Sequence, residues 1–344
     1  MNHEYSSASG APGIIVLAHD ALECGSTQGT SLTKVTSGTV GGDQYEIFDN
    51  KTGSYGSRDA DLLSACVASG YQSTPSNDFD GPLYLINGNS TNTGVHISSV
   101  TGTLATGPTF NPGAITTTTT PTSWSNPPAS VAQYNSTVNI DISPTDSSFT
   151  SCMTRAGLLW AAQTIANTSS YTQAQWWAIG TGLNTNLNAG QIYIQDTIAP
   201  TGLGIVNYDV ANPSIVANSN CDSGAGGIPY CDALIGFTAI PTPASGLTSY
   251  MSSGYQLEPV NSLDSYCGNV YQVGSLGPYS NCSVSGGPKI PTGFFSSTAV
   301  DGYAYPNDTN FFTTQQYGGM QDLSGYSCGA VYDWGVSWAQ VPHT

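Results

Sequence analysis

Positive charge is what this sequence has least of. Lys34, Lys51, Arg58, Arg155 and Lys289 are its five basic residues, against 22 acidic ones, for a formal net charge of -17. Nucleic-acid binding needs clustered lysine or arginine to neutralise phosphates and release counterions. Five cations scattered along 344 residues form no such stripe, which excludes nucleic acid as a partner and argues equally against anionic membranes and strongly anionic substrates. Charge of either sign is scarce, at 8% of residues, so surface polarity has to come from Ser, Thr, Asn, Gln, Tyr and Gly. Near pH ~3, with its carboxylates protonated, such a chain keeps too few cations for the self-repulsion that drives acid unfolding. This balance points to an acidic habitat; the alternative is an ordinary extracellular protein with a polar, glycan-compatible surface.

Other absences narrow the field further. The longest apolar opening, Gly13 to Ala18, is far too short to cross a membrane, and the start from Met1 to Ser7 lacks the basic and apolar regions of a signal peptide. That start reads as mature, cut or recombinant. No phosphate-binding glycine loop is present. No CxxC pair and no cysteine-histidine spacing suits zinc. Helical periodicity is nearly absent, and 40 glycines with 20 prolines punctuate the chain too often for long helices.

What is present begins with eight cysteines: Cys24, Cys66, Cys152, Cys221, Cys231, Cys267, Cys282 and Cys328. Disulfides formed in an oxidising compartment account for them most simply, which makes the expected location secreted or extracellular. Cys221 with Cys231 and Cys267 with Cys282 each bracket a loop containing Gly and Pro that can close on itself; free buried thiols are the competing reading. Sequons begin at Asn50, Asn89, Asn135, Asn167, Asn281 and Asn307, surface loops if a glycosylating host makes the protein.

Short β-type runs bounded by Gly, Asn, Asp, Ser or Pro recur throughout, among them 13–19, 44–48, 82–87, 94–100, 137–142, 157–164, 174–179, 190–194, 214–218, 233–238, 247–252, 310–316 and 334–341. They fall into groups of three or four, which predicts an all-β chain forming a β-propeller of about five to seven four-stranded antiparallel blades, held by disulfides. A loose repeat runs through it: 157–163 followed by 175–179, 213–217 by 232–237, and 309–314 by 333–338. The Thr- and Pro-rich stretch 107–128 reads as an extended surface loop or linker. A single domain over 1–344 is preferred to a two-domain split there, because similar strand material lies on both sides.

From about Ser151 onward, the ordered phrases Arg155 to Thr164, Ala174 to Ile179, Asn212 to Ala217, Ala233 to Phe237, Asp301 to Tyr305 and Phe311 to Tyr317 resemble secreted bacterial β-propellers of the sialidase-like superfamily. The resemblance implies that these phrases are successive blade strands. The Asp-box turn of that superfamily has only a degenerate counterpart, Ser143 to Thr150. A sialidase site holds its carboxylate substrate with an arginine cluster and uses a Tyr and Glu pair. With two arginines in all, Arg58 and Arg155, this chain cannot build that site, so the resemblance implies fold and not activity. Arg155 is expected to form a structural ion pair or to stack on Trp160.

Paired carboxylates suffice for glycoside hydrolysis; Asp59 with Asp61, Asp78 with Asp80, and Glu23 or Glu46 are candidates, with Asx turns the plainer role for the Asp pairs. Asp78 and Asp80, or Asp301 and Asp308, lie beside Gly and Asn and could ligate calcium through loop oxygens, the one cofactor the sequence leaves open. His19-Asp20 follows an apolar strand and reads as structural. Trp160, Trp177 and Trp334 are candidate stacking platforms, although blade packing claims most of the aromatics. The expected function is therefore a secreted β-propeller that binds a neutral glycan or protein surface or serves as a structural component. The alternatives are a hydrolase or lyase acting on neutral polysaccharide, and a self-associating subunit of an extracellular filament or layer.

Overall fold

The longest apolar stretches, Leu158–Ala166 and Thr172–Gly180, carry bulky residues at odd and even positions alike. A strand alternates its side chains between two faces, so both faces must be covered to hold such a sequence. The fold is built around that requirement. The computed structural model describes residues 2–3, 13–17, 33–34, 44–48, 64–68, 82–88, 91–102, 108–128, 130–132, 140–142, 148–166, 171–183, 187–198, 208–223, 229–241, 252–258, 271–273, 296–300, 310–321 and 331–341. Every regular element among them is a β-strand.

The first sheet holds β1 (Asn2–His3), β2 (Gly13–Leu17), β3 (Thr33–Lys34) and β4 (Gln44–Phe48) in the order β1-β2-β4-β3. The chain then enters β5 (Ser64–Ala65) and β6 (Val67–Ala68), followed by β7 (Leu83–Gly88), β8 (Val95–Thr101) and β9 (Thr109–Thr116); β5, β7, β8 and β9 make an antiparallel sheet. A short ladder of β10 (Ser130–Val131) and β11 (Ile140–Asp141) precedes the central sheet. There β12 (Phe149–Arg155), β13 (Leu158–Ala166), β14 (Thr172–Gly180) and β15 (Ile192–Ile198) form an antiparallel meander, with β6 added in parallel beside β12. A second meander comprises β16 (Tyr208–Ser223), β17 (Pro229–Pro241), β18 (Ser252–Glu258) and β19 (Tyr271–Val273), and a last sheet β20 (Ser296–Val300), β21 (Phe311–Gln321) and β22 (Val331–Val341). The three repeated phrases of the sequence are hairpin partners: β13 with β14, β16 with β17, and β21 with β22.

The central sheet is covered on both sides. Leu158, Trp160, Ala162, Trp176 and Ala178 pack with Ile215, Ala217, Ala233, Ile235 and Phe237 of the following meander. Leu159, Ala161, Ile165, Trp177 and Ile179 pack with Tyr84, Ile86, Ile97 and Ile115 of the preceding sheet. Each large side chain fully withdrawn from water contributes about 1.5–3 kcal/mol, so this double-sided sheet is where the fold is anchored.

Neighbouring sheets are also joined along their edges. β12 lies against β5, β6 and β16, and β16 against β20. β16 is an edge strand of its own sheet, and side chains of β12 satisfy its outward backbone groups. The Ser151 hydroxyl accepts from the Ile215 N–H at 3.1 Å and reaches the Ile215 carbonyl at 3.4 Å. The Ala217 N–H meets Met153 Sδ at 2.9 Å, Arg155 Nε donates to the Asn218 carbonyl at 3.2 Å, and the Thr150 hydroxyl donates to the Pro213 carbonyl. On the other side, Ser64 and Ala65 pair with Ile86 and Leu85 while Val67 and Ala68 pair with Met153 and Thr154. One short segment thus belongs to two sheets, and at its midpoint Cys66 is disulfide-bonded to Cys152. Cys231 is also disulfide-bonded and faces Cys221 directly across the ladder. Cys24, Cys267, Cys282 and Cys328 lie outside the described residues.

The stretch 107–128 departs from the loop its composition suggests. Thr109–Thr116 is β9, paired to β8, and Trp124 is buried in the same core cluster as Trp177, edge to face at 5.5 Å. The misreading has a physical cause: β9 is an edge strand with most side chains in solvent, so it needs no apolar alternation and tolerates Pro112. Beyond it, Gln195 clamps the Thr122 N–H and carbonyl, each at 2.8 Å. The Thr118 N–H bonds the Gly190 carbonyl at 2.8 Å, an approach so close that a Cβ on Gly190 would run into the Thr116 carbonyl.

β12 and β13 are joined by Ala156-Gly157, with φ of 53° and 82°, the two positive values a tight hairpin turn demands. The Thr181 N–H and hydroxyl both donate to the Gly157 carbonyl, at 2.9 and 2.7 Å, and hold the turn closed. Alanine is strained there, because its Cβ crowds the backbone in the left-handed region. Ala156→Gly is expected to stabilise the fold by about 0.5–1 kcal/mol, read as a higher urea midpoint at unchanged m-value.

Candidate functional site

Most site residues expected from sequence fall outside the described residues: Asp59, Asp61, Asp78, Asp80, Asp301, Asp308, Glu23 and the His19-Asp20 pair. Glu46 is on β4, and Trp334 is on β22 opposite Gly318. Trp160 and Trp177 require correction. They are 1% and 0% exposed and offer no face to a ligand. Trp160 stacks on Trp176 at 6.2 Å, and Trp177 meets Trp124 and Phe149 edge to face. They occupy strands covered on both sides, where every bulky side chain is needed for packing. Arg155 is likewise structural, buried with its Nε on the Asn218 carbonyl, while the Asn218 amide reaches Asp232 at 3.4 Å.

Two carboxylates distant in the chain, Asp196 and Glu258, are brought near each other instead. On β15, Asp196 pairs with Trp176 and so shares the face that packs toward the β16–β19 sheet. On β18, Gln256 and Glu258 pair with Ile235 and Ala233, on the face turned back toward the central sheet. Asp196 and Glu258 therefore lie on facing sides of the two sheets, on strands near their outer edges, close enough for the charge of Asp196 to act on Glu258. Asp196 is exposed and its Oδ1 accepts the Thr197 N–H at 2.7 Å. Glu258 is partly buried and accepts a hydrogen bond from the Gln256 amide. Burial pushes the Glu258 carboxyl up to about 7, the Gln256 bond opposing and the negative charge of Asp196 adding to the rise. A carboxyl that holds its proton near neutrality beside a second, solvent-facing carboxylate is the arrangement that general acid catalysis uses.

Among the described residues, Trp338 on β22 is an exposed large apolar side chain, 75% exposed, with Gln340 also exposed two residues on; Leu183 is exposed as well. Among the described residues, no group of three or more His, Cys, Asp or Glu side chains is placed to hold a metal ion. No described helix is long and apolar enough to cross a membrane. No family model, curated protein or solved structure matches the chain.

Proposed function

We propose that this chain is a secreted β-propeller of the sialidase-like type that works outside the cell, in acidic surroundings, as a non-enzymatic component binding a neutral glycan or protein surface. Successive meanders in sequence order, inner-edge strands side by side and a central sheet covered on both faces support the propeller reading. The observation that carries the binding reading is Trp338. A tryptophan ring left three-quarters in water on a strand is an unspent apolar face with a polar tip, suited to stacking on a sugar or filling a partner's pocket. With five basic residues against 22 acidic ones, the chain disfavours anionic partners. Trp338→Ala is expected to weaken binding in a neutral-glycan array at acidic pH by tenfold or more, with stability changed by less than about 0.5 kcal/mol. Undiminished binding by the variant removes Trp338 from the reading.

The acid pair favours a second reading, hydrolysis of a neutral polysaccharide with Glu258 as acid and Asp196 as its carboxylate partner. Reducing-end release from such polysaccharides between pH 4 and 7, lost in Glu258→Gln, supports it; release equal in both proteins eliminates it.

A further inference from the structure

We propose that the seam between the β12–β15 sheet and the β16–β19 sheet is a proton-operated clasp. Asp209 and Glu258, lodged between these sheets and faced by no cation among the described residues, tighten the seam on taking up a proton and loosen it on losing one. The proposal goes beyond the surface-binding reading and is tested separately from it; loss of glycan binding leaves it untouched.

The geometry at one end of the seam is a cross-sheet staple. Asp209 on β16 is 2% exposed, and its Oδ1 accepts both the Thr172 N–H at 2.6 Å and the Thr172 hydroxyl at 3.2 Å from the start of β14. The neighbouring contact is neutral as well: the Thr164 hydroxyl of β13 accepts the Asn212 N–H at 3.0 Å. Across the ladder β17 presents Ile240. Glu258 is faced by Asp196 from β15 and flanked by Gln256 on its own strand. Tyr193 of β15 spends its hydroxyl on the Asn188 N–H, at 3.0 Å, and Asp232 of β17 is bonded by Asn218. The one described cation of the two sheets, Arg155, is engaged on the Asn218 carbonyl, far along β16 from Asp209.

A carboxylate shut between sheets without a counter-charge destabilises the folded state, and protonation removes the penalty. Burial raises the Asp209 carboxyl to about 6 although both Thr172 bonds oppose it, and Glu258 to about 7. Because both folded values lie above the unfolded ones, the folded chain binds more protons than the unfolded chain. Stability therefore rises as pH falls through about 7 and then about 6, and levels off near the unfolded carboxylate range, about 4. The net charge of -17 acts in the same direction, but salt screens that long-range repulsion and leaves buried groups nearly untouched.

Thermal and urea unfolding of the intact protein between pH 8 and pH 4.5, in about 0.05 and about 1 M NaCl, tests the clasp. The wild type is expected to gain stability on acidification at both salt levels, each group shifting the folding equilibrium on the order of tenfold to a hundredfold. Asp209→Asn keeps an acceptor for Thr172, and Glu258→Gln keeps the side-chain shape. Each variant is expected to exceed the wild type at pH 8 and respond less to pH, and the double variant least. A double variant with the full wild-type pH response at high salt overturns the proposal, as does a wild type that loses stability on acidification. Should Asp209→Asn fail to fold, Glu258→Gln against the wild type decides the outcome in the same way.

Discussion

Removing the Cys66–Cys152 bond, as the Cys66→Ala/Cys152→Ala double variant, is expected to lower the unfolding free energy by about 4 kcal/mol. The bond closes a sequence separation of 86 residues, and a crosslink over a loop of that size restricts the unfolded ensemble strongly. Its position adds to the effect, because Cys66 sits where the chain passes from pairing with β7 to pairing with β12. Cys66 and Cys152 are 1% and 4% exposed and belong to the core that joins the two sheets. Urea unfolding of the variant beside the wild type, both left oxidised so that other bridges persist, measures the loss. A midpoint within error of the wild type contradicts the expectation that this bridge stabilises the fold through its long loop.

Trp177→Ala is the second large effect, with an expected loss of about 3–5 kcal/mol. The side chain is fully buried, with Trp124 5.5 Å and Phe149 6.2 Å from it between ring centres. Truncation removes the apolar contact and leaves a cavity lined by two aromatic rings that cannot close over it. Trp177→Phe should lose far less, about 1 kcal/mol, because the indole N–H is buried without a partner and its removal offsets part of the lost volume. Chemical denaturation of both variants gives the ordering; a phenylalanine variant as damaged as the alanine one contradicts this account of the core.

Much of the strand pattern could be read in advance, and where it could not the reason is physical. Leu158–Ala166, Thr172–Gly180 and Pro229–Pro241 announce themselves by apolar runs, since their strands are covered on both faces. Phe149–Arg155 was hidden because Thr150 and Ser151 turn their hydroxyls to the edge of β16, which breaks the apolar alternation of the strand. Thr109–Thr116 was hidden because an edge strand in solvent carries no alternation. Of the expected strand at 247–252 only Ser252 lies within the described residues, where it opens the strand Ser252–Glu258; there Gly254 leaves room for the Phe237 ring. The pairing of Asp196 with Glu258 had no local signature at all. It arises only when β15 and β18, from different sheets, are brought near each other, and sequence spacing carries no record of such an encounter.

The hydroxyl and thioether contacts from β12 to β16 bear on how the molecule behaves in a crowd. Bare strand margins invite foreign chains to add on, the first step toward fibrils. Here Thr150, Ser151 and Met153 consume that margin internally. In a chain with so few gatekeeping lysines, this sealing takes over the work that surface charge does elsewhere, and it continues in acid, where carboxylate repulsion between particles has vanished.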